Sequence, residues 1–230
     1  MAPPSTASLP QSGSIVSRWE MGESSGSRAD SVGGLTLTDN NTVGSASGQF
    51  GVLAADLESG NSEYFSRSNG TAYDSPTKTV SGWIKLESLA STLGYSAGII
   101  SCVNGSNNGF ELRLNSINNK IDFFLGGGAN LISSTTVPST GTWYFVTVAM
   151  NTTDCEIYIN GVSEATDTSW ASMTAGASTI YVGTSTVTSR YFDGLLQDVI
   201  VWDVKLSDSE VTDLYNAYFA TPFIPTFTIY

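Results

Sequence analysis

Apolar and polar positions alternate through most of this chain with a period of two. In GFELRLN, Phe110, Leu112 and Leu114 point one way and Glu111, Arg113 and Asn115 the other. In DCEIYING, Cys155, Ile157 and Ile159 oppose Glu156, Tyr158 and Asn160. This is the pattern of a half-buried strand. Asn160-Gly161 follows directly and predicts a tight hairpin turn, because both residues tolerate positive φ. Two further runs, TWYFVTVAM at 142–150 and LLQDVIVWDV at 195–204, are apolar on both faces and predict central strands covered on two sides. Further strands are expected at 15–20, 34–38, 62–67, 78–87, 96–103, 120–126, 130–137 and 178–184. Strands of this number and spacing predict an all-β, two-sheet antiparallel sandwich.

One segment breaks the pattern. Ser207 and Glu210 form a capping box, in which each side chain satisfies a free N–H at the start of a helix. Val211, Leu214, Tyr215 and Tyr218 then fall at helical spacing on one face. A short C-terminal helix over 207–218 should lie against the sandwich. Prolines cluster at the two ends, with Pro3, Pro4 and Pro10 at one and Pro222 and Pro225 at the other. Proline interrupts sheet ladders. The organisation therefore reads as a polar, Pro-rich arm at 1–13, flexible or extended, a body at 14–218, and an apolar tail at 219–230. No internal repeat of solenoid or propeller length is present.

Composition narrows the chemistry. The chain has 230 residues, enough to bury a core without a disulfide or metal staple. Nine Lys and Arg against 21 Asp and Glu give a net charge of −12. No basic patch is available for phosphates, so neither nucleic acid nor an anionic membrane is an expected partner. Histidine is absent. That removes Ser-His-Asp and Cys-His catalysis and His-ligated zinc. Cys102 and Cys155, the only cysteines, sit in apolar runs and read as buried thiols. The N-terminal MAPPSTASLPQSGS has neither a positive n-region nor an apolar h-region, so no secretory signal is read there.

The pieces between 78 and 218 then fall in a familiar order. KTVSGWIKLE carries a Trp in a long strand, and AGIISCVNGSNNGFELRLN gives strand, polar turn and strand. TGTWYFVTVAMN resembles a "W-Y-H-V-A" strand with Phe145 at the His position, and CEIYINGV resembles a "Y-V-D-G" hairpin with Asn160 for Asp. YFDGLLQDVIVWDVKLSDSEVTDLY resembles a closing "F-x-G-x-I-D-E-V" strand and "L-S-x-x-E-I" helix, and IVSRWEMGESSGSRADSVGGLTLT resembles the first strand and its loop. Together they resemble the laminin-G-like, concanavalin-A-like jelly roll. The resemblance implies two antiparallel sheets in a jelly-roll sandwich, often with one structural calcium, and members that bind glycans or proteins, serve as structural parts, or in some relatives hydrolyse glycosides.

Site expectations follow from both readings. Glycoside hydrolysis needs two carboxylates on one face. The E-x-D-x-x-E triplet of glucanases on this fold is missing, and Glu111, sharing its strand face with Arg113, reads as ordinary sheet surface. The chain is therefore expected to be a binding or structural module and not an enzyme. The resemblance maps a structural calcium to Asp30 and Asp198, although the family's acidic pair is Gln197-Asp198 here. The rival is that Asp198 accepts hydrogen bonds from backbone or from Arg28. Glycan contact is expected from turn-borne aromatics, Tyr95, Tyr158, Trp170 and Tyr191. The uncharged tail, with Phe219, Phe223, Ile224, Phe227, Ile229 and Tyr230, must dock on its own body or anchor a partner. A lectin-like module with no export signal fits a virion surface, in a tailed phage, assembled in the host cytoplasm. Its partners would then be other capsid or tail subunits, host-surface glycans and copies of itself in a homo-oligomer. The alternative is an extracellular carbohydrate-binding module of a secreted bacterial protein.

Overall fold

The structure is a computed structural model that describes residues 3–68, 70–104, 108–126, 130–176, 179–185 and 190–220. Its strands are β1 (Ile15–Trp19), β2 (Thr38–Asn40), β3 (Gly44–Ser47), β4 (Leu53–Leu57), β5 (Tyr64–Ser68), β6 (Lys78–Leu86), β7 (Ala97–Val103) and β8 (Gly109–Leu114). They continue as β9 (Ile121–Leu125), β10 (Leu131–Ser133), β11 (Trp143–Met150), β12 (Cys155–Ile159), β13 (Val162–Asp167), β14 (Thr179–Val182) and β15 (Gly194–Trp202). Two helices, α1 (Ala90–Leu93) and α2 (Asp208–Ala217), complete the set.

The strands form two antiparallel sheets, a jelly-roll sandwich. One runs β13-β12-β11-β6-β15-β4-β3, with β1 also paired to β15. The other runs β10-β9-β8-β7-β14-β5-β2. Alternation explains the layering. Phe110, Leu112 and Leu114 of β8, Ile121, Phe123 and Leu125 of β9, and Val146, Val148 and Met150 of β11 all enter the core between the sheets. Cys102 and Cys155 lie in that core as free thiols.

A second apolar cluster covers the outer face of the eight-stranded sheet. Trp83, Phe145, Ala149, Tyr158, Ile200 and Trp202 point away from the first core and meet Val211 and Leu214 of α2 and Tyr218 just past its end. Each large side chain fully buried there contributes about 1.5–3 kcal/mol. The α2 capping box forms as expected: the Glu210 N–H donates to Ser207 Oγ at 3.4 Å, and the Ser207 N–H to Glu210 Oε2 at 2.8 Å. The β12–β13 hairpin turns at Asn160 (φ 53°) and Gly161 (φ 76°). A Cβ at Gly161 would stand 2.9 Å from Tyr215 Cβ, so glycine also lets the turn abut α2.

Several elements differ from the sequence reading. β3, β4, β13 and α1 were not expected; β3 (GSAS) and β13 (VSEATD) are edge strands with little apolar alternation to mark them. The second strand begins at Thr38 and not at 34, because Gly33 and Gly34 belong to a turn organised by Asp30. The N-terminal arm is docked. Leu9 is buried in the second cluster, the Pro10 carbonyl accepts from Trp202 Nε1 at 3.1 Å, and Gln11 donates to Glu210 at 2.6 Å. Among the described residues no helix is long and apolar enough to cross a membrane.

Candidate functional site

With one outer face sealed by α2, the outer face of the seven-stranded sheet is the one that offers side chains to solvent. Strand registers align one row across all seven strands: Leu131, Phe124, Glu111, Ser101, Tyr181, Ser66 and Thr38. Leu131 and Thr38 are exposed, and Phe124, Tyr181 and Ser66 are half-buried. The two members between Phe124 and Tyr181, Glu111 and Ser101, are buried.

At one end of this row three phenols converge. Phe65 enters the core, so its neighbour Tyr64 faces outward; Ile180 and Val182 do the same for Tyr181. Tyr64 lies 6.1 Å from Tyr181 and 6.0 Å from Tyr191, ring centre to ring centre. All three are half-buried, the amphipathic setting in which aromatic rings stack on ligands. Tyr191 is held by an isolated bridge to Thr184. Its neighbour Arg190 accepts the Gly98 N–H at 3.1 Å through its carbonyl. A Cβ at Gly98 would stand 2.3 Å from Ser185 N, so glycine lets the Thr184–Ser185 backbone cross β7 in contact.

Glu111 sits in the middle of the row with 1% exposure. Its Oε2 accepts from Ser185 Oγ at 2.6 Å and Ser101 Oγ at 3.2 Å, while Oε1 has no hydrogen-bond partner. Burial pushes the Glu111 carboxyl above its ordinary range, against the opposing effect of these hydroxyls and of Arg113 and Arg190. Asp122, on the neighbouring strand, is bound by Ser133 (2.6 Å), Asn115 (2.6 Å) and Arg113 (3.5 Å), and Arg113 lies over the Phe124 ring at 4.5 Å.

Carboxylates also gather at the C-terminal ends of β4 and β6, in the eight-stranded sheet. Oxygens of Asp56, Glu58 and Glu87 lie within 4.8 Å of one another. Burial raises all three carboxyls, and like charge, including Asp193, adds to it. Tyr95 links this cluster to the platform: its phenol bonds Ser59 and the Tyr191 backbone.

The expected site residues separate. Tyr191 forms the platform with Tyr64 and Tyr181, which the sequence reading missed, and Tyr95 lies beside it. Tyr158 and Trp170 are corrections. Tyr158 is 1% exposed beneath α2 and donates to Asp208 at 2.8 Å; its strand sits under the helix. Trp170 is 3% exposed and stacks on Phe123 at 6.0 Å in the inter-sheet core. Phe219 packs on its own body against Tyr215 (5.1 Å), Phe50 (5.9 Å) and Trp83 (6.0 Å). Phe223, Ile224, Phe227, Ile229 and Tyr230 lie outside the described residues.

Asp30 and Asp198 do not fit a calcium site. Calcium takes six to eight oxygens, whereas these carboxylates are occupied by donors. Asp30 Oδ1 accepts the N–H groups of Arg18 (3.0 Å), Val32 (2.9 Å) and Gly33 (3.0 Å), and Oδ2 that of Leu35 (3.0 Å). Asp198 sits at φ 49° in an irregularity of β15, between the stretch paired to β4 and the stretch paired to β1. It takes Arg18 Nε and a terminal guanidinium nitrogen, each at 2.8 Å, and the Tyr218 hydroxyl at 2.7 Å. Its cation is therefore Arg18 and not Arg28. Arg28 is held by the Gly26 and Gly44 carbonyls.

The comparisons agree with this architecture. The chain is similar to domain 4 of AbnA, a GH43 extracellular arabinanase from Geobacillus stearothermophilus solved with arabinotriose: TM-score 0.71, 20% identity, 87% of this chain and 98% of that one. It is similar to the binding domain of Paraclostridial Mosquitocidal Protein 1, at TM-score 0.73 and 16% identity, covering 90% of this chain and 53% of that one. A botulinum neurotoxin type C structure, described as entering cells through interaction with two ganglioside molecules, gives 0.67 and 20%, covering 90% and 51%. Among curated proteins no sequence matches. The family model described as the concanavalin A-like lectin/glucanases superfamily matches residues 59–212, two thirds of the chain, and the protein belongs to that superfamily.

Proposed function

We propose that this protein is a non-catalytic glycan-binding module, and that it binds through the outer face of the seven-stranded sheet. The observation that carries the reading is the tyrosine platform, Tyr64, Tyr181 and Tyr191, beside the accessible hydroxyls of Ser66 and Thr38. Sugars present apolar faces to aromatic rings and hydroxyls to polar neighbours, so such a patch matches both needs. The arabinotriose and ganglioside named for two similar structures support the ligand class. The non-catalytic reading is supported by Asp122 and Glu111, which accept from hydroxyl and amide donors and lie beside Arg113. Isothermal titration against oligosaccharides tests it: Tyr181→Ala and Tyr191→Ala should each weaken binding at least about tenfold, the loss of ~1.4 kcal/mol or more expected for a stacking aromatic. Unchanged affinity in both variants would place the ligand elsewhere. Release of reducing ends from a polysaccharide, abolished by Glu111→Gln, would make it a hydrolase.

For the setting, the virion surface of a tailed phage remains our proposal, supported by the uncharged apolar segment 219–230 as an anchor on capsid or tail subunits. A second reading, a module of a secreted bacterial protein, is favoured by the match over 98% of the arabinanase domain. Truncation after residue 218 tests the first: the shortened body should fold and fail to join purified particles.

A further inference from the structure

The tyrosines have polar neighbours on the same face of the sheet. Directly paired residues of antiparallel strands share a face. Tyr64 pairs with Asn40 of β2, and Ser66 pairs with Tyr181 on one side and Thr38 on the other. Tyr181 and Tyr64 therefore form one diagonal across β14 and β5, and Ser66 and Asn40 form a parallel one across β5 and β2. The polar diagonal is joined: Asn40 Nδ2 donates to Ser66 Oγ at 3.0 Å and to the Thr38 carbonyl at 3.0 Å. A carbonyl only accepts, so the Thr38 contact fixes which end of the amide is nitrogen. Both N–H groups of the amide are then engaged. Asn40 Oδ1 is left as an acceptor with no donor among the described residues, open to solvent on a half-buried side chain. Ser66 Oγ accepts from Asn40, which leaves its O–H to donate.

We propose that Asn40 and Ser66 are the hydrogen-bonding edge of the glycan site and select a sugar with two adjacent free hydroxyls. The inference rests on the glycan-binding reading and names the group on the ligand that the site reads. A ring stacked on Tyr64 and Tyr181 lays its apolar face on the phenols and carries its hydroxyls around its rim. On the β2 side that rim meets Asn40 and Ser66. There one hydroxyl donates to Asn40 Oδ1 and its neighbour accepts from Ser66 Oγ. The match has a direction, because the Thr38 carbonyl keeps the amide from turning over to offer a donor. An O-methyl or O-acetyl group at the first position has no hydrogen to give. It leaves Oδ1 unpaired and is disfavoured. The tyrosine faces hold any sugar ring, and the polar pair decides among them.

An array of arabinotriose, maltotriose, cellotriose and mannotriose identifies the strongest ligand, which is then titrated beside its monodeoxy and mono-O-methyl derivatives. Asn40→Ala and Ser66→Ala should each weaken binding about three- to tenfold, the range of one net hydrogen bond. On native protein, deoxygenation at two adjacent ring positions should cost a similar factor, and this series needs no substitution in the protein. At one of those positions the deoxy sugar should bind native protein and Asn40→Ala alike; at the other, native protein and Ser66→Ala alike. Such non-additivity marks a direct contact, and a merely structural role would not produce it. Melting curves of both variants should stay near native, since both side chains lie on the outer surface of the sheet. Binding that depends on Tyr181 and Tyr191 but not on Asn40 or Ser66, or losses that simply add at every deoxy position, would overturn the pairing and leave the glycan reading standing. An array on which nothing binds would remove both.

Discussion

Asp198→Asn should be among the most damaging single substitutions in the body. Asp198 is 0% exposed and Arg18 1%, and their two 2.8 Å contacts are the bidentate fork that a guanidinium prefers. Removing the negative charge leaves a buried guanidinium uncompensated, which costs about 3–5 kcal/mol. For a chain of this size that is a fall of roughly 6–20 °C in melting temperature. The damage also spreads: Arg18 reaches the Pro4 carbonyl and Thr6 Oγ1, both at 2.9 Å, and Tyr218 bonds Asp198 from beyond the end of α2. The double variant Arg18→Met, Asp198→Leu should be less destabilised than either single one, because no buried charge is stranded. Urea unfolding of all four proteins, followed by circular dichroism, measures the cycle. The same series in millimolar calcium and in chelator separates ion pairing from metal binding: the gap between native protein and Asp198→Asn should not depend on calcium. A gap below about 1 kcal/mol, or one that closes on chelation, refutes the argument.

Three further outcomes follow. Burial holds the Lys78 ammonium down, to about 8 against its ordinary 10.5, so the unfolded chain binds more protons between pH 8 and 10.5 and this group's contribution to stability rises with pH across that window. Urea midpoints of native protein and Lys78→Met should therefore diverge by ~3 kcal/mol in favour of the native protein between those limits; parallel curves would refute it. Gly161→Ala should lower the melting temperature, since it adds a Cβ at φ 76° and 2.9 Å from Tyr215; an unchanged melt would show that the turn can shift. Ser207→Ala should cost about 1 kcal/mol by removing the α2 cap, read as a shifted urea midpoint at constant slope.

Legibility tracked how strongly physics marks each feature in a local window. β8, β11, β12 and β15 bury one or both faces, so their apolar spacing located them. The Ser207–Glu210 box located α2 because capping is a local hydrogen-bond pattern. β3 and β13 left little trace because an edge strand with exposed side chains has no reason to alternate. The site was half legible. Tyr95 and Tyr191 were singled out as turn aromatics, but the same rule chose Tyr158 and Trp170, which are core. Tyr64 and Tyr181 were readable in principle from YFS and TIYV, where a core residue beside each tyrosine turns it outward. What no local window holds is which sheet α2 covers. That decides whether an outward aromatic becomes core, as Tyr158 does, or surface, as Tyr181 does. The partner of Asp198 was hidden for the same reason, since Arg18 lies 180 residues away in sequence.

This division between the two outer faces also separates stability from recognition. The eight-stranded sheet turns Trp83, Phe145 and Trp202 outward and cannot be left bare, so α2 and the N-terminal segment cover it and the Arg18–Asp198–Tyr218 network ties both to β15. The seven-stranded sheet turns out Ser66, Tyr64, Tyr181 and Phe124, half-buried side chains that water tolerates, and only its middle, at Ser101 and Glu111, is covered, by the Thr184–Ser185 segment. Substitutions on that face disturb few core contacts, whereas substitutions in the network disturb many. Tyr181→Ala should therefore weaken ligand binding with little change in melting temperature, and Asp198→Asn should lower the melting temperature while folded protein keeps its affinity. A protein in which the two effects moved together would have a binding site that depends on the covered face, and the open sheet would not be the site.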